Sequence, residues 1–326
     1  MTSLNQKLST LKGLDIDSGT ASLWVVKTRI ENKKMKYTCR WVDIDDDEES
    51  VTYLAGKLKL IVKNNINSHD EIEEYDFISK PEDSTFLNMA SNNTNMSLIQ
   101  SKVDQPGNEH PANHEKHILN SSGYIIKIQI GQKYLYAYVR TAGAWNTKKV
   151  STAFWSAFTG EKMVGLSDDK LFKIEDHIDF ISYEGELFIS NKRSFESAMN
   201  FKEGMKEKKD ELIADFNSLN LFSTTKPIND YIGDDARHLR SVSSIHDKGF
   251  YKDQNFMKNL RKLNASERWG LNIDSNGVII PEQDKIKLLL TLLNDLRLKS
   301  QLSGNVYDAS SSIKVPDSNS TSASVV

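Results

Sequence analysis

The chain has 326 residues, 38% of them hydrophobic and 27% charged, with a formal net charge of −3 at pH 7. This composition excludes a disordered polar chain, and the length allows two ordinary domains with buried cores. The charge excludes a protein that is cationic throughout, so any anion-binding surface must be local.

The first half predicts a strand-rich domain. Residues 21–30 and 35–44 are rich in Trp, Val, Tyr and Ile, and the polar turn Glu31-Asn32-Lys33-Lys34 joins them as a hairpin. An acidic run at 43–49 then suits a helix start, and the apolar residues after it follow helical spacing. A metal site or nucleic-acid mimic is the alternative interpretation of this run. Cys39, the only cysteine, lies in a predicted strand and is expected to be buried, and it favours a reducing compartment.

Residues 64–118 are rich in Asn and Ser, with a short strand predicted at 75–78. The clearest hairpin follows at 124–130 and 133–140, joined at Gly131-Gln132. Its side chains alternate between two faces. One face carries Tyr134, Tyr136 and Tyr138, and the other carries Leu135, Ala137 and Val139.

The second half predicts short strands followed by helices. The strands are expected at 171–174, 178–183 and 186–190, with a turn at Glu184-Gly185. The helices are expected at 192–220, 234–245, 253–263 and 283–294, with extended pieces at 271–280 and 296–302.

These elements predict an α+β fold with three parts. Residues 1–159 form a strand-rich N-terminal domain, residues 160–308 form a mixed α/β C-terminal domain, and residues 309–326 form a disordered Ser-rich tail. The N-terminal 20 residues lack the apolar segment of a signal peptide, and no apolar run reaches the roughly 20 residues of a membrane helix. The sequence therefore predicts a cytoplasmic protein, and any membrane association would have to come through a partner.

The search for catalytic or metal-binding motifs gives only weak candidates. His110, His114 and His117 have a spacing that zinc accepts, but they lie in a polar loop beside two prolines. Asp168-Asp169-Lys170 matches the short acidic-x-Lys pattern of metal-dependent nucleases, which chance also produces in so charged a chain. We therefore expect no catalytic residue, no metal and no cofactor.

Two stretches are unusually basic. Residues 116–160 contain no Asp or Glu and interleave aromatic residues with cations that include Arg140, Lys148 and Lys149. Such interleaving is typical of surfaces that track phosphates and stack bases, although most of these aromatics are also explained as core residues.

The second basic stretch spans residues 237–268. Lys258, Arg261 and Lys262 share one helix face in the i, i+3, i+4 pattern, with Arg237 and Arg240 upstream. Phe256, Leu260 and Leu263 are expected to anchor the opposite side. Such a face neutralises phosphates, and an ordinary solvated face is the alternative. By contrast, the cations of residues 202–209 alternate with acids and indicate a solvated helix.

The second half, from about residue 171 to residue 307, resembles the KwaB subunit of the bacterial Kiwa anti-phage defence system. The motifs that carry the resemblance are Glu186-Leu187-Phe188-Ile189-Ser190-Asn191, Ser194-Phe195-Glu196, Lys285-Ile286-Lys287-Leu288-Leu289 and Leu302-Ser303-Gly304-Asn305-Val306-Tyr307. The resemblance implies a cytoplasmic homodimer that binds invading double-stranded phage DNA and acts with a small transmembrane protein, KwaA. It assigns no catalytic residue to this chain.

Three functions remain open from the sequence. The first is a non-enzymatic DNA-binding effector in a defence complex. The second is a metal-dependent nuclease that uses acids such as Asp168, and the third is a scaffold that holds a membrane partner without touching DNA.

Overall fold

The structure is a computed structural model that describes residues 3–32, 34–44, 53–105, 111–112, 117–118, 121–141, 156–159, 162–165 and 173–310. The chain forms two compact units. The first comprises Met1–Tyr75 and Pro81–Phe201, and the second comprises Asp76–Lys80 and Lys202–Val326.

The first unit is built around one large sheet. Its strands in chain order are β1 (Thr20–Glu31), β2 (Lys34–Val42), β3 (Glu71–Glu74), β4 (Thr85–Ala90), β5 (Gly123–Ile130), β6 (Lys133–Arg140), β7 (Ser156–Thr159), β8 (Lys162–Gly165), β9 (Phe180–Tyr183) and β10 (Glu186–Ile189). Its helices are α1 (Leu4–Lys12), α2 (Leu54–Asn67), α3 (Met96–Val103) and α4 (Lys192–Ala198). The large sheet has the order β2-β1-β5-β6-β9-β10-β4-β3, and β7 and β8 form a separate antiparallel pair.

Helices cover both faces of this sheet. Side chains alternate along each strand, so the sheet supplies one apolar surface to each side. One surface packs against buried residues of α1 and α2, including Leu11, Leu58 and Val62. The other packs against α3 and α4, where Ile99 and Phe195 are fully buried. The first unit is therefore a three-layer structure with a mostly antiparallel sheet between helices.

The predicted hairpins are confirmed. β1 pairs with β2 from Leu23↔Val42 to Glu31↔Lys34, and β5 pairs with β6 around the two-residue turn at Gly131-Gln132. The two faces of β6 are as predicted, because Leu135 and Ala137 lie in the core facing α2 whereas Tyr136 and Tyr138 lie in the core facing α3. The predicted α+β class is also confirmed.

The division into units differs from the junction expected near residue 159. β9 pairs with β6 over Leu135↔Tyr183 to Tyr138↔Phe180, and β10 pairs with both β9 and β4. These two strands were expected in the second domain, but their backbone hydrogen bonds complete the sheet of the first unit.

Two local predictions are wrong. The strand expected at 75–78 lies four residues earlier, at Glu71–Glu74, where it pairs in parallel with β4. The single helix expected at 192–220 is two helices, because Asn200 adopts a left-handed conformation with φ of 57° that ends α4 before α5 begins.

The second unit is mostly helical. Its elements are α5 (Phe201–Ser218), α6 (Lys226–Ile232), α7 (Ala236–Lys248), α8 (Gln254–Ser266), β11 (Asn272–Ile273), β12 (Ile279–Ile280), α9 (Ile286–Leu293), β13 (Arg297–Lys299) and β14 (Val306–Asp308). β11 pairs with β12 and β13 with β14, each as a short antiparallel hairpin. The core contains Phe216, Ile228, Val242, Ile286 and Leu293, all fully buried.

Among the described residues, no helix is long and apolar enough to cross a membrane. The tail expected at 309–326 lies, from residue 311 onward, outside the described residues.

Candidate nucleic-acid interface

Helix α8 starts at a strong N-terminal cap. The carboxylate of Asp253 accepts hydrogen bonds from the backbone N–H groups of Asn255 at 2.8 Å and Phe256 at 3.4 Å. This satisfies two of the four N–H groups that a helix start leaves without partners. From Gln254 to Ser266 the helix contains three cations and no acidic residue. Its acid-free surface therefore begins immediately after the cap.

The inner side of α8 fixes the helix on its unit. Met257 and Leu260 are buried. The side-chain amide of Asn264 accepts a hydrogen bond from the N–H of Leu271 and donates one to its carbonyl, both at 2.9 Å. The apolar core and this closed loop hold helix α8 in place on its unit.

Lys258 and Lys262 lie one helical turn apart on the exposed side of α8. In the part of the chain that the structure describes, no carboxylate lies within ion-pairing distance of either ammonium group. Two neighbouring cations without acidic partners are available to an external anion.

Arg261 differs from the two lysines. Its Nε donates a hydrogen bond to the carbonyl of Gly277 at 2.8 Å, in the turn between β11 and β12, and the residue is half-buried. The guanidinium therefore ties α8 to the neighbouring hairpin. The expected face of three equivalent cations consists of two exposed lysines and one arginine with an internal partner.

The apolar anchor predicted for α8 is only partly correct. Leu260 is buried as expected, but Leu263 is 42% exposed. Phe256 is half-buried and stacks on Phe250 with the ring centroids 5.2 Å apart. Met257 makes the core contact instead. The buried stripe of α8 is therefore rotated around the helix by about one residue from the stripe that the sequence predicted.

The two arginines of α7 have different surroundings. Arg237 extends into solvent with 88% of its side chain exposed, and its Nε lies 3.7 Å from the Asp235 carboxylate. That carboxylate also caps α7, which holds its pKa below the usual value through the hydrogen bonds from the N–H groups of Arg237 and His238. Arg240 is half-buried. Of the two, Arg237 presents the more accessible cation.

In the first basic stretch, two of the described cations have acidic partners from elsewhere in the chain. Lys127 pairs with Asp104 at 2.6 Å, and Lys133 pairs with Glu184 at 2.6 Å. For these two lysines, the fold supplies the acidic partners that the stretch itself lacks. Arg140 is exposed at the end of β6, whereas Lys148 and Lys149 lie outside the described residues.

Helix α5 behaves as predicted for a solvated, mixed-charge helix. The Nζ atom of Lys206 lies 3.6 Å from a carboxylate oxygen of Glu203 and 3.6 Å from one of Asp234, and Lys208 pairs with Asp247. Its cations are therefore largely compensated, unlike Lys258 and Lys262.

The weak catalytic candidates fall largely outside the described part of the chain, which excludes His110, His114 and Asp168. Among the residues that are described, no group of three His, Cys, Asp or Glu side chains is arranged to hold a metal ion. One buried acid stands out, since Asp179 accepts a hydrogen bond from the N–H of Arg140 at 2.6 Å while its other oxygen has no partner. Burial raises the pKa of this carboxyl group. Its hydrogen bond holds the end of β6 against β9.

Sequence reasoning missed a groove beside α8. The groove has a volume of about 370 Å³. It is lined by Phe256, Asn259, Leu260, Leu263, Glu267, Trp269, Leu292, Asp295, Arg297, Leu298, Lys299 and Val306. Its lining comes from α8, the end of α9 and the β13–β14 hairpin, which are distant in sequence. No signal in the sequence pointed to it, because Leu263, which lines the groove, was expected to anchor the buried side of the helix.

A family model described as Kiwa protein KwaB-like matches residues 118–303 of the chain. The match begins well before the region in which the sequence showed a resemblance, and it includes β5 and β6 of the first unit as well as α8. Comparison with curated proteins gives no match, and neither does comparison with solved structures. Because the match covers more than half of the 326 residues, the chain belongs to the KwaB-like family of Kiwa proteins.

Proposed function

We propose that this KwaB-type protein is the DNA-binding subunit of its Kiwa defence complex and that it binds duplex DNA largely without regard to sequence. The observation that carries the proposal is the exposed pair Lys258 and Lys262 on an acid-free helix. A chain with a net charge of −3 has no general affinity for polyanions, so such a local site is required.

The chemistry of the pair suits phosphate rather than base recognition. Lysine ammonium groups are compact point charges that neutralise phosphates, and phosphate contacts carry no sequence information. Binding of this kind suits a protein that must act on any invading genome. Arg237 on α7 and Arg140 on β6 are further candidate contacts, because both residues are exposed.

Family membership supports a proposal about the assembly. A KwaB-type subunit works with other subunits of a Kiwa complex. We propose a homodimer at the cytoplasmic side of the inner membrane, held there by a KwaA-like transmembrane partner. Twofold symmetry is the commonest solution for soluble oligomers, and it would present two copies of α8 to one duplex.

The experiment is a salt titration of DNA binding by the purified chain. Fluorescence anisotropy with two 30-base-pair duplexes of unrelated sequence should give equal affinities. For each duplex, the logarithm of the association constant should fall linearly with the logarithm of the salt concentration, with a slope of about −0.9 for every phosphate contacted. No binding at low salt would support a scaffold instead. Cleavage of plasmid DNA with Mg²⁺ or Mn²⁺ would support a nuclease.

A further inference from the structure

We propose that the groove beside α8 receives an unpaired or extruded DNA base, so that the protein prefers DNA with single-stranded ends or openings over uninterrupted duplex. This inference rests on the proposed DNA binding and adds a second kind of contact to it. The groove is lined by Phe256, Leu263, Trp269, Leu298 and Val306 on its apolar side, and by Asn259 and Asp295 among its polar groups.

The size and exposure of the groove fit a small planar ligand. Its volume of about 370 Å³ lies at the lower end of the range for small-molecule sites. Leu263 is 42% exposed, Leu298 45% and Val306 50%, so a continuous apolar surface faces solvent. A base removed from the DNA stack needs such a surface, because it has lost the stacking partners that shielded its faces.

Aromatic and hydrogen-bonding groups occur together in this groove. Trp269 is half-buried and lines the groove, where its indole can stack on a base, and Phe256 lines the groove beside it with one ring face already stacked on Phe250. The side-chain amide of Asn259 and the carboxylate of Asp295 are exposed and have no hydrogen-bond partner within the described residues. An amide can pair with the edge of adenine, and a carboxylate can accept from the exocyclic amines of bases.

The groove is continuous with the proposed phosphate contacts. Asn259 and Leu263 line the groove, and each directly follows an exposed lysine of the same helix, Lys258 and Lys262 respectively. Two successive turns of α8 therefore each present a cation to solvent and, next to it, a side chain that lines the groove. This pairing of charge with an apolar cleft fits a strand whose phosphate is neutralised while its base is held.

Acidic groups in the groove select for a base rather than a phosphate. Glu267 lies 4.0 Å from Lys299, and Arg297 binds Asp308 through two hydrogen bonds of 2.7 and 2.8 Å. These cations are compensated within the unit, and Asp295 adds a negative charge. A phosphate would meet no uncompensated cation among the described residues that line the groove and would be repelled by Asp295, whereas a neutral base with amine donors would not be.

The test uses full-length protein and duplexes that carry a fluorescent 2-aminopurine in a six-nucleotide overhang or at a central paired position. We expect the overhang DNA to bind more tightly than blunt duplex, with a change in 2-aminopurine emission on binding. Trp269→Leu should weaken overhang binding by about 5- to 150-fold, which is the effect of losing one base–aromatic stack. It should leave blunt-duplex affinity unchanged. Asn259→Ala, at an exposed position that does not endanger folding, should weaken overhang binding in the same direction.

Leu302→Ala is the matched control, because Leu302 is fully exposed in the same hairpin and does not line the groove. Equal affinity of overhang and blunt DNA, with no effect of Trp269→Leu or Asn259→Ala, overturns the groove proposal and leaves DNA binding intact. Failure of the unmodified protein to bind any DNA overturns both.

A changed oligomer mass in Trp269→Leu, with DNA binding unaffected, assigns the groove to a second copy of the chain. A 2-aminopurine response seen only after removal of residues 311–326 assigns it to the chain's own tail. Either of these last two results also overturns the proposal.

Discussion

Arg261 donates its Nε hydrogen bond to the carbonyl of Gly277 at 2.8 Å, which fastens helix α8 to the turn of the β11–β12 hairpin. The turn requires Gly277 in a left-handed conformation, with φ of 81°. A Cβ atom at that position would lie 3.2 Å from Arg261 Nε, so the arginine packs directly over the glycine. Arg261 is thus a positioning residue for α8, and the two lysines beside it are the candidate DNA contacts.

Arg261→Ala is expected to lower the free energy of unfolding by about 1–2 kcal/mol. A hydrogen bond from a charged group contributes about 1.5–3 kcal/mol, less where the residue is partly exposed. Urea unfolding measures the loss, with Lys262→Ala as the control on the same helix. The salt slope of DNA binding should change less in Arg261→Ala than in Lys262→Ala. The reverse order of slopes would show that Arg261 contacts DNA.

Asp253→Ala should also destabilise α8, by about 1 kcal/mol, because it removes the acceptor for the N–H groups of Asn255 and Phe256. Asp253→Ser keeps an acceptor and should retain most of the stability. Amide hydrogen exchange of the first turn of α8 is the measurement. Equal exchange in the unmodified chain and in Asp253→Ala would contradict the role of this cap.

His69 predicts a pH dependence of the first unit. The ring is buried, stacks on Phe86 at a centroid distance of 3.8 Å, and contacts the Asn65 carbonyl through Nδ1 at 2.7 Å. Burial lowers the pKa of His69 from 6.5 in the folded protein. As pH falls below that value the unfolded chain takes up the proton first, so stability is present above pH 6.5 and declines below it.

The decline attributable to this group is at most about 1.4 kcal/mol per pH unit. His69→Gln should therefore be less stable at neutral pH but should show a shallower loss from pH 7 to pH 5. Urea midpoints across that range measure it, with His177→Gln as a control for removing an exposed imidazole. A slope in His69→Gln as steep as in the unmodified chain would contradict this assignment.

Local patterning accounts for what could be predicted of the fold. The strict alternation of residues 133–140 and the glycine at the Gly131-Gln132 turn were sufficient for the central hairpin and for the two faces of its sheet. Strand β4 was not predicted, because the surrounding polar region gave no clear alternation and β4 is buried from Thr85 to Asn88. Its place follows from pairing with β10, about 100 residues away, which no local signal encodes.

The candidate site shows the same limit. Helix α8 and its cations followed from spacing, but the partner of Arg261 is a carbonyl in another hairpin and depends on tertiary structure. The groove likewise requires α8, α9 and the β13–β14 hairpin to meet. The sequence shows only that Leu263 is apolar, whereas the fold shows that it faces an open groove rather than the core.

The most direct test of DNA binding through α8 is the salt slope of the double variant Lys258→Glu/Lys262→Glu, measured with blunt duplex DNA. Its matched control is Lys202→Glu/Lys226→Glu, which makes the same change in net charge at two exposed lysines of the same unit. We predict that the first variant remains folded, binds more than tenfold more weakly, and has a salt slope smaller in magnitude by about 1.8, while the control behaves like the unmodified protein. If both variants are folded and show equal affinity and slope, α8 does not contact DNA.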